Sequence, residues 1–317
     1  MNIIRMPRYA TARKGQKLQS AMEYLMTYGW AILIIAIILI ALFQFGVFNG
    51  WMLVPKASPG ACSVYRPLGP GTTTSISLGG LCQGELPQYV MKGFGVGDFV
   101  DVPSNSMSST LNIVGNAITI TLWVYIIGSP YHDLVDKENQ YGLKLNYQNS
   151  PHSCSPSGNP GLCLEWDTAG DWNGVSFPIP NGGFNQWMFI AASQDGSMKY
   201  WYADGVLIGS TNAGGTLTYS SSDLSIGAIS PGYSGYGEAE WFNGAIANVQ
   251  IYNSSLSQSE IAAMYVNGIG GAPVDLNNLV GWWPLNGNSN DYSGNDNNGY
   301  IYNNYFSGTY LSNYTMP

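Results

Sequence analysis

The sequence predicts a mainly β protein, an antiparallel β-sandwich carried behind one long N-terminal transmembrane helix. Three observations carry that expectation. Residues 24–48 are almost wholly apolar. Beyond residue 85, short runs alternate apolar and polar side chains between Gly, Asn, Ser and Pro, which is the strand signal. Across that same region a single stretch, Ser257–Val266, carries helix signals.

The chain has 317 residues with a formal net charge of -8 and only 9% charged side chains. From Tyr24 to Phe48 the polar exceptions are Tyr24, Thr27, Tyr28, Trp30 and Gln44. A run that long exceeds the roughly 20 residues needed to span a bilayer. A cleaved secretory signal has a shorter apolar core and a small-residue cut site. Here the core is too long, and Gly46-Val-Phe-Asn-Gly50-Trp51 follows it.

Arg5, Arg8, Arg13, Lys14 and Lys17 precede the helix, and basic flanks stay in the cytoplasm. The expected topology is a single pass in the cell membrane, N-terminus cytoplasmic and C-terminal domain extracellular. Beyond Gly50 only six basic residues face eighteen acids, so nucleic acid is excluded as a partner.

Glu23 lies at the start of the apolar run, where an acid is costly unless paired or at the interface. It sits at the headgroup boundary near Lys17, or it serves assembly. The run KGQ…QSAMEYLMTYGWAILII resembles the class III signal and N-terminal helix of archaeal type IV pilins. That resemblance implies a basic leader over residues 1–15, cut by a prepilin peptidase after Gly15, with Gln16 as mature N-terminus and a helix over 16–50. It also implies that Glu23 neutralises the amino terminus of a neighbouring pilin-like subunit in a filament core. A cut after Gly15 makes Glu23 the eighth mature residue, whereas the family places its acid fifth.

Residues 51–84 are rich in Pro and Gly and read as an irregular stalk. The four cysteines permit three pairings. The loop-local set, Cys62 with Cys82 and Cys154 with Cys163, is the first expectation, because each pair spans one irregular segment. Outside the cell each bridge would stabilise by about 2–3 kcal/mol. Zinc is the competing reading, but the spacing is not C-x-x-C and His132 and His152 add no ligand pattern.

The sandwich occupies residues 85–317. Strands are expected at Tyr89–Phe94, Phe99–Val102, Ala117–Ile127, Tyr141–Tyr147, Leu162–Asp167, Trp187–Ser193, Met198–Ala203, Val206–Ser210, Leu224–Ala228, Ala245–Tyr252 and Leu279–Pro284. Asp204-Gly205 predicts a tight hairpin, since a type I′ turn needs positive φ at both central residues. Ser257-Gln-Ser-Glu260 fits a capping box ahead of Ile261 and Met264.

Together AITITLWVYI, YGLKLNY, NQWMFIAASQDGSMKYWYADGVLIGS, LSIGAI and FNGAIANVQIYNSSLSQSEIAAMY resemble the laminin-G-like jelly-roll family of the concanavalin A-like lectin/glucanase superfamily, from about Tyr89 to Tyr265. Trp123, Trp187, Phe189 and Val249 read as core residues. Leu279–Tyr310 resembles the opening strand of the same family, displaced to the end of the chain. Residues 279–310 are therefore expected to fill the first-strand position, in their own sandwich or in a neighbouring subunit's.

Glu165-Trp-Asp167 resembles the E-x-D-x-x-E strand of concanavalin-fold glycoside hydrolases, where two carboxylates flank the scissile bond. Gly170 stands where the second glutamate belongs, and Asp171 is one step off and so points to the other face. No enzymatic activity is expected. No cofactor is required, although Asp291, Asn295 and Asp296 supply the oxygens of a structural calcium site, or equally of an Asx-rich turn. Asn253-Ser-Ser and Asn313-Tyr-Thr are glycosylation sequons for an exterior domain. The functions left standing are adhesion by a pilin-like surface subunit and ligand binding by a simple membrane-anchored lectin or receptor. In either case the partner is a glycan or a cell-surface protein, and exposed aromatics such as Tyr233, Tyr236, Tyr300, Tyr302 and Tyr305 are suited to stacking on sugars.

Overall fold

A computed structural model of the chain describes residues 28–38, 87, 89–94, 97–128, 132–147, 162–168, 176–180, 183–196, 198–212, 216–229, 241–303, 305–307, 314 and 317. The chain divides into two units, Met1–Pro55 and Lys56–Pro317.

In the first unit the described part is a helix over residues 28–38 (α1), with every side chain exposed. At 1.5 Å per residue it measures about 16 Å. No described helix is long and apolar enough to cross a membrane. Gly15, Gln16 and Glu23, and the rest of the expected span, lie outside the described residues. So does the stalk over 51–84.

The second unit is a two-sheet sandwich. Its strands are β1 (Val90–Phe94), β2 (Phe99–Val102), β3 (Ala117–Ile126), β4 (His132–Lys137), β5 (Tyr141–Tyr147), β6 (Leu162–Thr168), β7 (Ser176–Pro178) and β8 (Trp187–Asp195). They continue with β9 (Met198–Ala203), β10 (Val206–Asn212), β11 (Leu224–Ile226) and β12 (Asn243–Tyr252). After helix α2 (Gln258–Asn267) come β13 (Leu279–Trp283), β14 (Tyr300–Tyr302) and β15 (Tyr305–Ser307). One sheet runs β10-β9-β8-β3-β12-β1-β15, with β13 also on β12; the other runs β14-β2-β11-β4-β5-β6-β7. All named pairings are antiparallel.

Period-two alternation builds two cores from one strand. On β3, Ile118, Ile120, Leu122, Val124 and Ile126 face the opposite sheet, while Trp123 and Tyr125 join the cluster beneath α2. β8 divides likewise, with Met188 and Ile190 inward and Trp187 and Phe189 outward. The outward layer is closed by Leu256, Ile261, Met264 and Ile269, with Tyr265 stacked on Trp123 at 5.8 Å. The capping box forms: Glu260 N–H donates to Ser257 Oγ at 3.3 Å, and Ser257 N–H donates to Glu260 Oε2 at 2.8 Å. The hairpin also forms, with φ of 49° at Asp204 and 74° at Gly205. Gly205 is close-packed as well, because a Cβ there would meet the Ala262 backbone at 3.2 Å.

β12 holds the least regular point. Opposite β3 its register slips between Ala247 and Gln250, with Asn248 at φ 51°. This bulge resets the alternation: Ile246 faces the sheet–sheet core before it, Val249 and Ile251 after it. It also divides the strand's other edge. Residues 243–246 pair with β1, and residues 249–252 pair with β13. The C-terminal segment thus pairs within its own chain, β13 on β12, β14 on β2 and β15 on β1. Trp282 and Trp283 of β13 are both buried.

Candidate functional site

The register of β14 on β2 sets Tyr300 opposite Asp101 and Tyr302 opposite Phe99. Directly opposed residues share a face. Val100 and Val102 take the core side, so Phe99, Asp101, Tyr300 and Tyr302 lie on the outer face of the seven-stranded sheet. The Phe99 and Tyr302 rings stack at 4.7 Å and 5°, and Trp241 tilts against Phe99 at 5.6 Å. Tyr300 is 64% exposed and Tyr302 47%. An edge strand has left an aromatic surface open to solvent.

Polar groups continue from this surface across the sheet. Ser225 on β11 registers with Asp101 on one side and Asp136 on the other. Its hydroxyl is buried and unpaired among the described residues, as is Oδ1 of Asp101. Burial, and then the negative charge of Asp223, push the Asp101 carboxyl above its ordinary range. Asp136 lies over Gly142 of β5, where a Cβ would sit 2.9 Å from its Oδ1. Next to it, Lys144 pairs with Asp133 at 3.4 Å, both buried. On β6 the positions of Glu165 and Asp167 register with Lys144 and Gly142. Gly170 and Asp171 lie outside the described residues.

At the end of β4, on the core-facing side opposite Leu224 and Tyr141, lies Lys137. Its buried ammonium donates to the Ser104 carbonyl and hydroxyl, both at 3.0 Å, and to the Ser222 carbonyl. Burial draws its pKa down to about 8, against the upward pull of Asp223 and Asp136.

The expected calcium residues hold a turn. Asp291 accepts from Trp282 N–H (2.9 Å) and Ser293 N–H (2.8 Å) on Oδ1, and from the Ser293 hydroxyl (2.8 Å) and Asn297 N–H (3.0 Å) on Oδ2. Asn295 turns its amide nitrogen toward the carbonyls of Leu279 and Val280. Asp296 has φ 56° and an exposed side chain. Calcium takes six to eight oxygens. With both Asp291 oxygens already held by four protein donors, these residues do not fit the ion. Burial raises the Asp291 carboxyl's pKa even against those donors.

Asn253 is exposed and follows β12. Asn313, Cys62, Cys82 and Cys154 lie outside the described residues, as do Tyr233 and Tyr236. The backbone of Cys163 lies in β6. Phe99, Asp101 and Trp241 were not singled out from sequence. The Phe99-x-Asp101 alternation marks a shared face, but only the pairing with β14 brings it to the tyrosines.

A family model described as the concanavalin A-like lectin/glucanases superfamily, of laminin-G type, matches residues 94–262, more than half of the chain. The chain belongs to that superfamily. Among solved structures it is similar to a candidate carbohydrate-binding protein from Bacteroides ovatus, at TM-score 0.50 and 15% identity over 70% of this chain. This chain spans 61% of the length of that protein. It is also similar to a heptameric pentraxin from Limulus polyphemus (TM-score 0.41, 14% identity, 57% of this chain and 83% of that one). A third similarity is to domain 4 of an extracellular arabinanase from Geobacillus stearothermophilus in complex with arabinotriose (TM-score 0.33, 16% identity, 57% and 89%). No curated protein sequence matches the chain.

Proposed function

We propose that the protein is a surface glycan-binding protein, and that its aromatic edge is the binding face. The observation that carries this reading is the stacked Phe99–Tyr302 pair beside exposed Tyr300 and the carboxylate of Asp101. Flat rings offer an apolar face to the C–H side of a sugar, and a carboxylate accepts from its hydroxyls. Membership of a superfamily of lectins and glucanases supports the same reading, as does the carbohydrate-binding description of the Bacteroides protein. The role is binding, not hydrolysis, because the E-x-D pattern at Glu165 and Asp167 is followed by Gly170.

The resemblance of residues 14–35 to a pilin helix supports display outside the cell, as a filament subunit assembled through Glu23. A glycan array with the detergent-solubilised full chain tests the binding face. Tyr302→Ala and Tyr300→Ala are expected to weaken the strongest hit at least tenfold; equal binding by wild type and both variants overturns the proposal. The mass of the mature N-terminus tests display. Loss of residues 1–15 and recovery in sheared filaments support the filament subunit, whereas an intact N-terminus retained in the membrane leaves an anchored lectin. Measurable turnover of β-glucans overturns the non-catalytic role.

A further inference from the structure

The loop between β2 and β3 encloses a pocket that the aromatic face does not use. Ser109, Thr110, Asn112, Ile113, Val114, Asn116, Ala117 and, from the end of β12, Asn253 line about 280 Å³. That is close to the small end of ligand sites, roughly 300 Å³.

The walls are pre-built. Asn112 Nδ2 donates to the Ser104 carbonyl at 2.9 Å and to that of Ser106 at 2.6 Å. Tyr141 donates to the Leu111 carbonyl, and Gln140 to that of Ile113, both at 2.9 Å. Gly115 exchanges both backbone hydrogen bonds with Leu217. Thr110 is tied to Asn297. Such anchoring keeps the cost of ordering the loop low when something enters.

No lining residue carries a charge, so the pocket offers nothing to match a phosphate, a carboxylate or an amine. What it offers is amides and hydroxyls. The carboxamides of Asn116 and Asn253 make no hydrogen bond among the described residues, leaving two donors and an acceptor on each. Val114, 69% exposed at the rim, adds an apolar patch. Amide and hydroxyl donors and acceptors beside one apolar surface, without charge, match a ring bearing several hydroxyls.

We propose that this pocket binds one neutral sugar ring. The ring comes either from a free saccharide or from a glycan attached at Asn253, whose side chain forms part of the wall. The inference does not depend on the aromatic face, since the two sites share no residue.

The test uses the full-length chain in detergent, produced with and without sequon glycosylation. The probes are methyl α-D-mannopyranoside, methyl α-D-glucopyranoside and N-acetylglucosamine, followed by saturation-transfer NMR and titration calorimetry. The unglycosylated chain is expected to bind at least one probe. Asn116→Leu, and Val114→Trp across the mouth, are expected to weaken it at least tenfold with the melting temperature kept. If the glycosylated chain excludes the same probe, its own glycan fills the pocket; if it binds equally, free saccharide is the ligand. The proposal is overturned if the unglycosylated chain binds no probe, or if folded Asn116→Leu and Val114→Trp both bind as wild type does.

Discussion

Trp282 donates its indole N–H to Oδ1 of Asn248 at 2.7 Å, joining the bulge of β12 to the strand that fills half of its edge. The same Asn248 oxygen accepts from Gln250 at 2.9 Å, and its Nδ2 donates to the Gly271 carbonyl at 2.8 Å. One side chain in a left-handed backbone position thus ties together the bulge, β13 and the chain leaving α2.

Asn248→Gly keeps the backbone conformation and loses those bonds, whereas Asn248→Ala loses both. With about 1 kcal/mol for each lost hydrogen bond and about 1–2 kcal/mol for Ala at positive φ, Ala is expected to be the more destabilising of the two. Urea midpoints check the order, and a Gly variant less stable than the Ala variant refutes it.

Removal of Leu279–Pro317 is expected to abolish cooperative unfolding. It strips β13, β14 and β15 and uncovers half of β12, along with the pocket vacated by Trp283; truncating one buried Trp alone costs about 3–5 kcal/mol. A truncated domain with an unchanged melting temperature would show the segment to be dispensable.

Asp291→Ala is expected to cost at least ~3 kcal/mol, because four donors lose their charged acceptor in a buried turn. Addition of a chelator to wild type is expected to leave the melting temperature unchanged. Thermal melts read both, and a chelator-induced drop would reinstate a metal at this turn.

Lys137 sets a pH signature. In the unfolded chain it holds its proton up to about 10.5, and in the folded one only to about 8. Between those values the unfolded state binds more protons, so this group makes stability rise with pH from about 8 toward 10.5. Below about 8 both states are charged and the burial cost is present in full. Compared with Lys137→Gln, wild type is expected to gain stability over that window, and parallel stability curves for the two would contradict the assignment.

Gly244→Ala is expected to prevent stable folding. A Cβ there would overlap the backbone carbonyl oxygen of Tyr125 on the paired strand, and no flexible side-chain end is available to yield. Soluble yield and circular dichroism check this.

Much of the fold was legible because its signals are local. The Asp204-Gly205 turn, the Ser257 capping box and the short apolar, β-branched and aromatic runs of β3 and β8 each declare themselves within ten residues or so. β4 did not: its register slips between Asp133 and Val135, and acids stand where a simple pattern wants apolar residues. β14 and β15 are three residues each, too short for a period to show. For the site, Tyr300 and Tyr302 were visible as aromatics. That they meet Phe99 and Asp101 is a matter of register between strands 200 residues apart, which no local pattern encodes.

β1 is the first strand among the described residues, and it lies between β12 and β15 with ladders on both sides. Tyr89, just before it, is also hydrogen-bonded to Asn286 at 2.8 Å. Tension applied to β1 from its N-terminal side therefore cannot free it by breaking one ladder. It must strip the last described strand as well. β15 works as a latch on β1, so a pull entering the sandwich near its first described residues is resisted by residues more than 200 positions further along the chain.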